Sequence, residues 1–123
     1  MKEAFAENPT GNEVTVTIKD TPIPTPNDTQ VVIRVVAAGL NPKDWKVLGL
    51  QAGPSNQGDD IAGYVHAVGA KVTEFKRGDR VAAFHEMMTP HGAYAEYALA
   101  WASTTFHIPN ETSFEGLTSF SWT

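Results

Sequence analysis

Gln30-Val31-Val32-Ile33-Arg34-Val35-Val36-Ala37-Ala38 is the stretch on which the fold turns. Its β-branched residues fall on both faces of an extended chain, the pattern of a strand covered on both sides. It is therefore placed at the centre of the core. Upstream, Val14, Val16 and Ile18 alternate with Thr15, Thr17 and Lys19, as in a half-buried strand. The prolines at 22, 24 and 26 that follow imply an extended edge and a turn. Downstream, residues 61–68, 79–84 and 92–100 read as three further strands. Short strands at this spacing predict a mainly β fold, a small antiparallel barrel or sandwich. Short helices are expected over residues 42–49, which Pro42 opens and Gly49 closes, and from about 113, where Thr112-Ser113-Phe114-Glu115 has a capping-box pattern.

With 123 residues, 41 % of them apolar, the chain has material for one core, so residues 1–123 are read as a single domain. Ten Gly and eight Pro argue against a helical bundle. A net charge of -5 leaves no basic surface for phosphates, so nucleic acid is not an expected partner. The N-terminus has no apolar targeting segment, and no apolar run approaches the roughly 20 residues of a bilayer span. The expected setting is cytoplasmic, with no membrane partner. The absence of Cys excludes disulfides, a thiol nucleophile and thiolate zinc sites.

Three stretches occur in order: Gly39-Leu40-Asn41-Pro42-Lys43-Asp44-Trp45-Lys46; then Gly58-Asp59-Asp60-Ile61-Ala62-Gly63-Tyr64-Val65 with Gly69 and Lys76-Arg77-Gly78-Asp79-Arg80-Val81; then Gly92-Ala93-Tyr94-Ala95-Glu96-Tyr97. Together they resemble the N-terminal part of medium-chain dehydrogenases/reductases, in particular zinc-independent quinone oxidoreductases and polyketide trans-acting enoyl reductases. The resemblance implies a GroES-like, partly open β-barrel with short helices. Zinc-dependent members of that superfamily carry a Cys in the loop that here reads Asn41-Pro42-Lys43-Asp44, and Gly-His-Glu where this chain has Gly58-Asp59-Asp60. No metal is therefore expected. The family continues into a Rossmann domain, whereas this chain ends as the connecting helix from about 113 begins. No Gly has another Gly two residues on, so Gly-x-Gly-x-x-Gly is absent. No cofactor is expected for this chain, and NADPH only where the missing nucleotide-binding domain is supplied.

The candidate catalytic residues are His85, Asp60 and Tyr94. His85 offers an imidazole base beside the cleft that the resemblance implies, Asp60 a carboxylate next to an apolar strand, and Tyr94 a hydroxyl for a carbonyl oxygen. Asn41, Asp44, Lys46 and His91 are candidate substrate-binding residues, and Asn41 and Lys46 border the nicotinamide if NADPH binds. Each has a plainer reading. Asn41 caps a helix with Asp44 and Lys46 on its solvated side, Gly58-Asp59-Asp60 is a turn ahead of a strand, His85 and His91 sit on a surface loop, and the tyrosines pack. A metal shared by His66, Asp59, His85 and His91 is the weaker alternative.

The expected function is a stand-alone domain of enoyl reductase or quinone oxidoreductase descent, acting on a small polyketide-like molecule by acid/base chemistry of isomerase, lyase, dehydratase or cyclase type. One alternative is a fragment of an NADPH-dependent reductase that needs the Rossmann domain, and another is a non-catalytic partner of a larger synthase. Trp101, Phe106, Phe114, Phe120 and Trp122 gather near the C-terminal end, so a homodimer through the face left open by the missing Rossmann domain is expected.

Overall fold

Strand β3 (Gln30–Ala38) lies inside a five-stranded antiparallel sheet of order β6-β3-β4-β5-β7, in which β4 is Asp60–Val68, β5 Arg80–Phe84, β6 Tyr97–Trp101 and β7 Thr105–His107. The computed structural model describes residues 1–8, 13–41, 44, 54–87 and 89–114. Outside these lie the helix expected over 42–49, apart from Asp44, and the segment beyond Phe114. Two clusters of buried side chains pack on the sheet. Val31, Ile33, Ile61, Val65 and Val81 pack with Phe75 on one side, and Ala62, Ala82, Ile108 and Phe114 on the other. In β3 itself burial on both faces holds over Val31–Ile33 only, since Arg34 is exposed and Val36 is 43 % exposed, so the two-sided β-branched run extends beyond the two-sided burial. β3 and β4 approach closely at Gly63, where a Cβ would stand 2.0 Å from the Arg34 carbonyl oxygen. Only glycine fits there, and the ladder bulges beside it between Val35 and Ala37.

A separate two-stranded sheet joins β1 (Lys2–Glu7) to β2 (Thr15–Asp20). β2 matches the alternation seen in the sequence, whereas β1 is not foreshadowed there. Its Ala, Glu and Lys residues have little β preference, Phe5 alone favours a strand, and β1 is held by pairing with β2 and by bridges from Glu3 to Ala95 and Ala6 to Ser55.

The strand expected over 92–100 starts only at Tyr97. Before it, the backbone turns against residues 56–58: the amides of Ala93 and Tyr94 donate to the carbonyls of Gly58 and Gln57, at 2.7 and 3.1 Å. These bonds replace a ladder, so tertiary contacts override the alternation. The result is a mainly β, curled half-barrel. No helix among the described residues is long and apolar enough to cross a membrane.

Candidate active site

Antiparallel pairing brings the end of β3, the start of β4 and the end of β5 to one edge of the half-barrel. Asp60 pairs with Phe84, the Gly39 amide donates to the Asp60 carbonyl at 3.0 Å, and the His85 amide donates to the Asp59 carbonyl at 2.8 Å. The turn ahead of β6 reaches the same edge, because Val35 donates to the Glu96 carbonyl at 2.9 Å. Gly58, at φ +95°, makes the bend into Asp59 in a conformation that side chains rarely adopt.

Four of the expected site residues meet there. The Asn41 side-chain amide donates to Asp60 Oδ2 at 2.8 Å, the Asn41 backbone amide donates to Asp44 Oδ2 at 2.9 Å, and the Tyr94 hydroxyl donates to the same Asp44 oxygen at 2.5 Å. The Gly39 carbonyl lies 3.3 Å from that hydroxyl. Asn41, Asp44 and Asp60 are all buried. Asp44 is thus not on a solvated helix face, and the Asn41 side chain turns to Asp60 instead of capping. Burial, the bond to Asp44 and the charges of Asp44, Asp59 and Asp60 push the Tyr94 phenol far above its ordinary pKa. It remains a protonated donor ringed by carboxylates.

Asp59 and Asp60 serve different partners, as alternation along a strand requires. Asp59 Oδ1 lies 2.9 Å from His85 Nδ1, with both side chains buried. His85 Nε2 faces the Pro90 carbonyl at 2.8 Å and the Thr89 hydroxyl at 3.2 Å. His85 is therefore not a surface-loop histidine. Both ring nitrogens are engaged, and the ring ties β4 to the turn at 89–90.

Lys46 lies outside the described residues. His91 has φ 67°. It lines a groove of about 810 Å³ with Glu3, Phe5, Pro24, Pro54 and Asn56. Neither Asp60 nor Tyr94 lines that groove, so the cavity and the chemistry point to different residues. The donors and carboxylates favour the Asn41 group. Sequence reasoning missed Asn56, whose amide holds the carbonyls of Ala4 and Tyr94 at 2.8 Å each and so fixes the Tyr94 backbone. Nothing in its polar loop distinguishes it. Tyr64 and Tyr97 pack on Phe114 and His66. Among the described residues no three His, Asp or Glu side chains converge as metal ligands.

Comparison with known proteins bears on the family and the fold. The alcohol dehydrogenase GroES-like domain matches residues 27–110. A trans-enoyl reductase of Gibberella fujikuroi is 52 % identical over 103 residues, covering 81 % of this chain and 30 % of that protein. A quinone oxidoreductase of Sus scrofa is 41 % identical over 113 residues, covering 85 % of this chain and 32 % of its own length. The chain thus spans about a third of the curated relatives it matches. Among solved structures, the quinone oxidoreductase of Coxiella burnetii superposes with a TM-score of 0.84 at 26 % identity, over 99 % of this chain and 41 % of that one. The Escherichia coli quinone oxidoreductase complexed with NADPH gives 0.83 at 26 %, over 98 % and 37 %. This chain belongs to the alcohol dehydrogenase GroES-like domain family, and it is similar to that part of trans-enoyl reductases and quinone oxidoreductases.

Proposed function

We propose that this domain performs proton-transfer chemistry on a small, polyketide-like unsaturated carbonyl compound, using Asp60 as base and Tyr94 as donor to the carbonyl oxygen. The observation that carries the reading is the buried Asn41–Asp60 and Asp44–Tyr94 arrangement, with a protonated phenol among carboxylates. The Asp60 carboxylate, which accepts from the Asn41 amide, removes a proton from carbon next to the carbonyl. The electron pair moves into the enolate, whose oxygen takes the Tyr94 hydrogen bond in competition with Asp44. Return of the proton from the Asp60 carboxylic acid to a different carbon completes an isomerisation. Asn41 and Asp44 position the pair.

A second reading is favoured by the kinship with a trans-enoyl reductase: joined to a dinucleotide-binding domain, the same site serves a nicotinamide reductase, to which NADPH supplies hydride. The described residues do not fit a dinucleotide by themselves. The chain has no Gly-x-Gly-x-x-Gly turn to hold a pyrophosphate, and Asp44, Asp59 and Asp60 repel phosphate.

The test is deuterium incorporation from D2O into a short alkenoyl-pantetheine thioester, followed by proton NMR without added NADPH. Exchange by the chain, lowered at least about a hundredfold in Asp60→Asn and about tenfold or more in Tyr94→Phe, supports proton transfer. No exchange, or exchange unchanged in both variants, overturns it.

A further inference from the structure

Strand β2 (Thr15–Asp20) hydrogen-bonds to β1 on one side, and no strand lies on its other side among the described residues. All of its residues are exposed. Val16 and Ile18 are 62 and 61 % exposed, and Val14, just before the strand, is 42 % exposed. An open edge carrying an apolar row is a template for another strand. The sequence of β2 identifies which strand fits. Laid antiparallel against a second copy about a two-fold axis through Val16, Glu13 meets Lys19, Val14 meets Ile18, Thr15 meets Thr17, and Val16 meets Val16. Directly opposed residues share a face of the sheet. Apolar side chains therefore meet on the face that carries Ala4 and Ala6, and the two Glu13–Lys19 pairs form on the other. Moving the axis to Thr17 sets Val14 against Asp20 and leaves Glu13 facing Thr21, so the complementarity belongs to one register. The Lys19 ammonium lies 5.2 Å from the ring centroid of Phe5 on β1, so it must swing away from β1 to meet Glu13 of a second copy.

We propose that β2 is a self-association edge through which two copies of this chain pair over residues 13–19, forming a four-stranded β1-β2-β2-β1 sheet. The contact is isologous and closes on itself, so it yields a dimer and not a fibre. It uses a different surface from the Trp101 and Phe106 side, where Phe106 is 45 % exposed and Phe114 is already buried against Tyr64 and Arg80.

The experiment is sedimentation equilibrium of the chain from about 1 to 200 µM, the range in which an interface of modest area dissociates. The expected result is a monomer–dimer equilibrium. Val16→Lys places two lysines face to face and raises the dissociation constant at least about tenfold. Glu13→Lys and Lys19→Glu each weaken the dimer, and E13K/K19E in one chain restores it, because the crossed pairs re-form. All three positions are exposed, so circular dichroism and thermal midpoint are expected to stay as in the parent. A monomer at every concentration overturns the proposal. So does a dimer that these variants leave intact and Phe106→Ser dissociates, which places the contact on the other face.

Discussion

Removing Asp59 takes the carboxylate from His85 Nδ1 in a buried place, while Nε2 keeps the Pro90 carbonyl and the Thr89 hydroxyl. The two side chains meet at 2.9 Å with 3 and 4 % of their surfaces exposed. Breaking such a buried pair by deleting one partner costs about 3 kcal/mol, because the remaining polar group keeps its desolvation penalty without its partner. Asp59→Ala and His85→Ala are each expected to lose about that much in urea denaturation, with unchanged m-value, and to melt roughly 12 °C lower. The double variant D59A/H85A is expected to cost about 2 kcal/mol less than the sum of the singles, the excess being the coupling. Asp59→Asn retains an oxygen acceptor for Nδ1–H and is expected to lose less than half as much as Asp59→Ala. Additive single losses, or losses below about 0.5 kcal/mol in both, would refute the assignment of this pair as the clamp between β4 and the turn at 89–90.

Tyr94→Phe removes the donor shared by Asp44 and the Gly39 carbonyl and is expected to cost about 1 to 2 kcal/mol in the same denaturation assay. In ultraviolet titration, one phenol fewer than the tyrosine count is expected to ionise before alkaline unfolding, and in the variant that deficit disappears. The Lys76 side chain, with help from the Lys76 amide and His107, holds the Asp79 carboxyl down to about 2 against partial desolvation. Since the folded value lies below the unfolded value of about 3.9, its contribution is present above pH 4 and lost as pH falls toward 2. Lys76 is exposed and screened. The stability gap between the parent and Asp79→Asn is therefore expected to be about 1 kcal/mol at pH 6 and to close by pH 2. Titration of the chain with NADPH, followed by nicotinamide fluorescence, is expected to show no saturation in the micromolar range; saturation there contradicts the view that the described residues do not fit a dinucleotide.

Legibility differed by element, for physical reasons. β3 was readable in its limits, because a β-branched run favours extended backbone, whereas the expected burial on both faces holds over Val31–Ile33 and fails at Arg34 and Val36. β1 was not, since its formation depends on a partner strand and two distant bridges. The residues of the site could be named from the family motifs, and Asn41, Asp44, Asp60 and Tyr94 do meet. Their connections could not be named. Whether Asn41 caps a helix or reaches Asp60 depends on the β3–β4 register, and the junction of Asp59 with His85 depends on the pairing of Asp60 with Phe84. The reading of residues 92–96 as strand failed for a related reason. Their alternation is real, but the amides are taken by the 57–58 carbonyls.

The most direct measurement is an amide-resolved NMR titration of the ¹⁵N-labelled chain with the alkenoyl-pantetheine thioester. Proton-transfer chemistry at the Asn41–Asp60–Asp44–Tyr94 group predicts saturable shifts concentrated at the amides of Gly39, Asn41, Asp60 and Tyr94, and their loss in Asp60→Asn. Shifts gathered instead around Glu3, Ile23, Asn56 and His91, which line the groove of about 810 Å³, would contradict the account.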